Sequence, residues 1–410
     1  MTLGLFGGFG IELEYMVVDR ETFAVRPIAD RLLHRFAGAF VGDYEDGPIA
    51  WSNELALHVL ELKTNGVVAL PGDALAGFRG SLARIDAALE GLGARLMPGG
   101  MHPTMDPARE FVRWPHDYGE VYAAYDRIFD CRGHGWSNLQ SCHLNLPFAD
   151  DAEFGRLHLA VRTLLPLLPA LAASSPYRDG AFHGWLDGRL AVYRDNQRRV
   201  PRIAGLVVPE SVTTRADYFA TILEPIWNDI APFDPDRLLR EEWLNSRGAV
   251  AKFFRDAVEI RVLDVQEQPA ADLAICTLVV AVLRALCVER WASMASLQAL
   301  DTRELAEVLW AVAKDGDEAV VAHPGLLRAL GRGESALRVG SLWASLADAV
   351  LPDEAPLAAE LQSALATIFA RGPLARRIVV ACGERPDARS LAWLGRELAD
   401  CLRAGTAFSP

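Results

Sequence analysis

Glu12 and Glu14 stand two residues apart in Gly10-Ile11-Glu12-Leu13-Glu14-Tyr15, and that spacing on a strand aims both carboxylates at one face. Two ionised carboxylates side by side repel unless a cation or a proton sits between them. A wet strand face would relieve them too, but the flanking Phe6-Gly7-Gly8-Phe9 and Met16-Val17-Val18 argue against full exposure. Glu61 falls inside an apolar alternation, where an unpaired carboxylate is costly. Glu54 lies seven residues before it, so one regular strand would aim the two at opposite faces. A bend between them is required if both serve one site. His143, in Ser141-Cys142-His143-Leu144-Asn145, fits either a hydrogen-bonded core residue or a ligand. Glu259 and Arg261 share a face by the same i, i+2 spacing. They form either a structural ion pair or a ligand beside a cation that stabilises charge on a transferring phosphoryl group.

Together these positions supply five carboxylates and one imidazole on strand-like segments that could converge on one sheet face. Oxygen-rich ligation with a single histidine suits Mg²⁺ or Mn²⁺ better than zinc. Magnesium held by side chains commonly bridges nucleotide phosphates. Gly7-Gly8-Phe9-Gly10 lacks the Lys-Ser/Thr of a phosphate loop and opens a strand, so bound ATP would need metal ions and arginines for its phosphates. Cys142 and His143 are adjacent on a strand and point to opposite faces, which excludes a thiol–imidazole pair.

Those groups need strands to carry them. Strand periodicity runs over 10–19, 141–147 and 257–265; in the last, Glu259, Arg261 and Leu263 alternate with Val258, Ile260 and Val262. Helical periodicity predicts helices over 73–96, 151–173 and 218–230, with an arginine-rich loop region over 178–202. From residue 268 onward the pattern is almost wholly helical, over 271–291, 302–313, 355–369 and 390–402. Strands first and helices after predict an α+β architecture with antiparallel strands. The expected division is a catalytic domain over 1–295 and a helical region over 296–410 packed on it. Leu391, Leu394 and Leu398 could pack internally or in a homodimer.

The 410 residues are 51% apolar and 23% charged, the composition of a globular protein with a sizeable core. A net charge of −13 repels phosphate backbones, so nucleic acid is not an expected partner. Six scattered cysteines without C-x-x-C spacing, and no basic N-terminal leader, lead us to expect a reduced, cytoplasmic chain. The apolar stretch 270–287 carries Asp272 and Arg284 and reads as a core helix, not a membrane span.

The order of motifs resembles the glutamate–cysteine ligase family, in its bacterial carboxylate–amine ligase branch. The resemblance rests on Gly10-Ile11-Glu12-Leu13-Glu14-Tyr15, Asn53-Glu54, Leu60-Glu61-Leu62-Lys63-Thr64-Asn65 and Gly100-Met101-His102-Pro103. Further on come Cys142-His143-Leu144-Asn145, Ser175-Pro176-Tyr177-Arg178-Asp179-Gly180, Tyr193-Arg194 and Val258-Glu259-Ile260-Arg261-Val262-Leu263-Asp264. It implies a glutamine-synthetase-like fold, a curved antiparallel sheet with helices on its convex side and a concave face for ATP and divalent ions. It implies Glu12, Glu14, Glu54, Glu61, His143 and Glu259 as metal ligands and Arg261 against the γ-phosphate. Arg178 and Arg194 fall where the family keeps arginines for substrate carboxylate or nucleotide, with Arg247 and Lys252 as further basic candidates. The stretch 181–205 departs from the branch pattern, which bears on the substrate more than on the metal site.

The implied reaction is ATP-dependent amide formation between a carboxylate, glutamate or a similar amino acid, and an amine, through an acyl phosphate. Its rivals are a phosphotransferase on the same fold and a non-catalytic sensor of nucleotide or amino acid. A zinc hydrolase on Cys131, His134, Cys142 and His143 is geometrically poor.

Overall fold

The computed structural model describes residues 3–409. Strand β1 (Gly10–Asp19) keeps the bounds that its alternation predicts, with Ile11, Leu13, Tyr15 and Val17 wholly buried on one face. After it come β2 (Asp43–Asp46), β3 (Ile49–Asn53), β4 (Val59–Thr64), β5 (Ala94–Met97) and β6 (Ser141–Pro147). A two-residue hairpin, β7 (Tyr177–Arg178) and β8 (Ala181–Phe182), precedes β9 (Ala249–Lys252) and β10 (Ala257–Asp264). All but the hairpin join one sheet in the order β2-β3-β4-β1-β6-β10-β9, with β5 on the far end of β1. Every pairing within it is antiparallel.

The apolar face of the sheet lies against helices. Cys142 of β6 meets Cys276 of the helix Pro269–Cys287, Sγ to Sγ 3.7 Å. That helix is long and apolar enough to cross a membrane, yet 89% of its most apolar window is buried inside the protein. It is the core helix expected at 270–287. Buried side chains from Phe9 to Leu402 form one continuous hydrophobic cluster, so the C-terminal helices share the core of the sheet. Leu391, Leu394 and Leu398 pack internally, against Tyr177, Leu374 and Ile378.

Several boundaries depart from the periodic pattern for identifiable reasons. The helix expected over 73–96 is Leu75–Glu90 after a 3₁₀ turn, Pro71–Ala74. Gly93, at φ +65°, turns the chain into β5, so Leu96 belongs to a strand. The helix expected over 151–173 breaks into Asp151–Leu164, a 3₁₀ turn Leu165–Leu167 and Pro169–Ala172. Pro166 and Pro169 lack the N–H that a continuous helix needs. The region 178–202 is ordered around the hairpin and the helix Gly188–Tyr193. Helices Val339–Val350 and Leu374–Cys382 fall within the stretch from residue 268 onward that is expected to be almost wholly helical.

The largest departure is in β10. Ile260 pairs with Leu144 and Leu263 with Cys142, so β10 carries one more residue than β6 across that interval. This bulge returns Leu263 to the core face, against the simple alternation, and turns Asp264 to the side of Ser141.

Leu13 is wholly buried at the centre of the sheet. Leu13→Ala is expected to lower unfolding free energy by about 2–5 kcal/mol in urea titrations, whereas Val67→Ala, at a 60% exposed position, shifts it by under about 0.5 kcal/mol. Equal effects would contradict the placement of the core.

Candidate metal and nucleotide site

The polar face of the sheet carries the acidic residues in register. Across β4, β1 and β6, Glu14 stands directly opposite Glu61, and Glu12 lies between Lys63 and His143. Glu259 of β10 faces Asn145 of β6. Like charges placed directly opposite on neighbouring strands are destabilising by themselves. Glu54 follows the end of β3, and the chain turns before β4, which resolves the spacing of seven.

Oxygens of Glu12 and Glu259 and a ring nitrogen of His143 lie within 4.8 Å of one another, as do Glu14, Glu61 and His143. All six expected ligands, Glu54 among them, line one cavity of about 400 Å³ together with Lys252 and Arg261. Neutral partners fix the ligands. Ser141 N–H donates to Glu14 at 2.7 Å, Ser52 Oγ to Glu61 at 2.7 Å, and Asn145 Nδ2 to Glu12 at 3.1 Å. His143 Nδ1 sits 2.9 Å from Glu12 and its Nε2 2.8 Å from Ser141 Oγ.

Charge is unevenly compensated across this face. Glu259, wholly buried, is held between Lys252 and Arg261, whose Nε donates to it at 2.8 Å. Burial opposes ionisation of Glu259, but Arg261 and Lys252 outweigh it and hold the carboxyl well below the usual range. For Glu12, burial and Glu259 push the pKa up, while the His143 hydrogen bond and the charges of His143 and Lys252 bring it below normal. At the other end, burial and the neighbouring Glu12 push Glu61 up to about 7, although Lys63 lies 3.5 Å away. Burial, then Glu14, Glu61 and Glu12, raise Glu54 well above its ordinary value. Two cations meet one carboxylate at the β10 side, and carboxylates outnumber cations at the β4 side. A divalent cation fits the carboxylate excess, and a phosphate fits the surplus at Lys252 and Arg261.

The other arginines stand elsewhere. Arg178 is 3.5 Å from Asp179 on the hairpin, and Arg194 lies over the rings of Trp185 and Trp310 at 5.5 and 5.1 Å. Arg247 is buried in a two-pronged pair with Glu210. None of the three lines the cavity. Cys142 faces the core and His134 faces Asp179, which disposes of a zinc cluster there.

Arg189 does line the cavity, and no periodicity around it marks it as a site residue. Its Nε donates to Asp264, and its terminal nitrogens reach the Arg261 carbonyl at 3.2 and 3.3 Å. Asp264 in turn accepts from Ser174 N–H at 2.8 Å and Ser175 Oγ at 2.7 Å. The bulge therefore has its backbone held from both sides, since Arg261 N–H donates to Gly248 at 3.0 Å. A larger open groove of about 1210 Å³, beside Trp291, Glu304 and His323, has no comparable convergence of charge.

Glu61 and Glu54 hold protons more tightly folded than unfolded. Their stabilising contribution is full below about pH 4.5 and is lost as pH rises, through about 7 for Glu61 and through the raised pKa of Glu54. Added magnesium is therefore expected to raise the unfolding temperature by several degrees more at pH 8 than at pH 5.5 in calorimetry. An equal shift at both, or none, would contradict cation binding here.

The family model for glutamate-cysteine ligase family 2 (GCS2) matches residues 8–376. An uncharacterized protein of Archaeoglobus fulgidus is 36% identical over 278 residues, covering 67% of this chain and 74% of that protein. A provisionally named glutamate–cysteine ligase 2 of Corynebacterium glutamicum is 28% identical over 189 residues, 45% of this chain and 46% of its own. The chain thus spans just under half the length of that named relative. Two solved structures share the fold: the bifunctional glutathione synthetase of Pasteurella multocida and the glutamate–cysteine ligase of Francisella tularensis in complex with AMP. The first has a TM-score of 0.61 at 15% identity, covering 97% of this chain and 52% of that one. The second has a TM-score of 0.60 at 13% identity, covering 98% and 90%. With the match running through every strand that bears a charged group of the cavity, the chain belongs to glutamate–cysteine ligase family 2.

Proposed function

We propose that this chain is an ATP-dependent ligase that joins a carboxylate to an amine, with magnesium or manganese held by Glu12, Glu14, Glu54, Glu61, His143 and Glu259. One observation carries the proposal: groups from five separate chain segments line a single cavity beside Arg261 and Lys252. The donor set is carboxylate oxygen with one imidazole, which suits hard divalent cations. When bound, such a cation neutralises and orients phosphate oxygens. An adjoining cavity of about 550 Å³ shares Glu12, Lys63 and Arg255 with the first and has room for a nucleoside.

Arg261 and Lys252 then serve the phosphoryl group that is transferred. Both are drawn to Glu259 in the free protein, so an arriving γ-phosphate competes for donors already aimed at the cavity. Arg189 holds the Arg261 carbonyl and so fixes where that guanidinium begins. The substrate carboxylate, from glutamate or a similar amino acid, attacks the γ-phosphorus, and ADP leaves with the bonding pair. The amine nitrogen next attacks the acyl carbon of the acyl phosphate. Inorganic phosphate departs, the amine loses a proton, and an amide remains. Cations held by the six ligands would offset repulsion between an anionic nucleophile and an anionic phosphate, the main obstacle to the first step. No protein nucleophile is required.

Glu259→Gln leaves Lys252 and Arg261 in place but removes the charge between them. ADP release from ATP with a carboxylate and an amine is expected to fall about 100-fold or more, with circular dichroism unchanged. Retained turnover would overturn the metal assignment, and a phosphorylated carboxylate accumulating as the stable product of the wild-type protein would replace ligation by phosphotransfer.

A further inference from the structure

Away from the carboxylates, the cavity is walled by the rings of Tyr125, Trp136, Tyr193 and Trp243. Tyr125 joins them, with its centroid 5.1 Å from Trp136 and 5.9 Å from Trp243. Trp136 Nε1 donates to the Asn196 carbonyl at 3.2 Å, which ties this wall to the segment after the helix Gly188–Tyr193. Gln197 comes next in that segment. It lines the cavity, is 3% exposed, and donates its Nε2 to Ser246 Oγ at 2.9 Å. Its Oε1 has no hydrogen-bond partner among the described residues.

A buried amide oxygen without a donor is costly, and its cost is recovered when a ligand brings the missing N–H. Resting on the ligase reading, we propose that Gln197 Oε1 receives an N–H of the incoming amine, and that this amine has an apolar or aromatic body and no carboxylate of its own. The ring faces suit an apolar body and also attract a polarised or cationic N–H group. A carboxylate on the amine would meet arginines already committed to other groups. Arg189 is engaged by Asp264 and Arg261 by Glu259, and Arg194 is turned onto Trp185 and Trp310. Tyr125 and Tyr193 both neighbour Arg261, so the ring wall adjoins the side of the cavity where the phosphate displaced by the amine would lie.

The test compares phenethylamine, L-phenylalanine and L-cysteine as acceptors with ATP, magnesium and glutamate or another carboxylate, following ADP and the amide. Phenethylamine is expected to give at least a tenfold higher kcat/KM than L-cysteine, with L-phenylalanine well below phenethylamine. Gln197→Leu should raise the KM for phenethylamine about tenfold and leave the KM for ATP within twofold. Gln197→Glu, which keeps an acceptor at the same place, should restore amine use. An unchanged amine KM in the leucine variant overturns the proposal. So does a parallel rise in the KM for ATP, a preference for L-cysteine, or loss of amine use in the glutamate variant. If the wild-type protein forms amide but the leucine variant is indistinguishable from it, this inference alone fails. If the wild-type protein forms no amide with any pair, the ligase reading fails as well.

Discussion

Bringing several carboxylates together on one half-dry surface is the constraint to which the rest of this structure answers. The sheet register sets Glu14 against Glu61 and brings Glu12 beside Lys63 and His143. Nothing in a sheet requires acids there, since the same strands would be more stable with apolar or neutral pairs. The surroundings reduce the cost without abolishing it. Ser52, Ser141 and Asn145 donate hydrogen bonds, and Lys63 and Lys252 supply charge. What remains uncompensated, around Glu54 and Glu61, is a standing demand for positive charge.

The same reasoning explains why the opposite side of the sheet is so thoroughly apolar. A surface that holds repelling charges needs a rigid back. It has one in the helix Pro269–Cys287 and in Ile11, Leu13, Leu144 and Ile260, all buried. The bulge in β10 adds a second kind of rigidity. Arg189 and Asp264, both buried, pin the backbone where Arg261 emerges, so that cation is fixed by its own main chain as well as by Glu259. Losing one partner of a buried pair such as Arg189–Asp264 typically costs about 3–5 kcal/mol, which makes the arrangement hard to relax.

Much of the sheet was legible in the sequence because strand parity is a local property. β1 and β6 came out with the bounds their alternation gave, and the parity of Glu12, Glu14 and Glu259 put them on the cavity face. The bend between Glu54 and Glu61 was required by parity and is present. What resisted was non-local. The extra residue in β10 shows only against its partner strand, and Leu263 was assigned to the wrong face for that reason. Arg247 was an attractive basic candidate until Glu210, distant in sequence, took its donors. Gln197 and Arg189 sit in an aperiodic, arginine-rich stretch where only the fold reveals which side chains turn inward. The prolines that break the helix after Leu164 were visible, but an apolar run long enough for one helix masked them.

The claim beneath all of this is that the acidic groups of β1, β4, β6 and β10 are gathered to hold divalent cations next to Arg261 and Lys252. Crystals grown with manganese and a non-hydrolysable ATP analogue would show it in anomalous difference maps. The account predicts manganese peaks bounded by Glu12, His143 and Glu259 and by Glu14, Glu61 and His143, with the γ-phosphate reaching Arg261. Nucleotide bound elsewhere, or manganese absent from both positions, would contradict it.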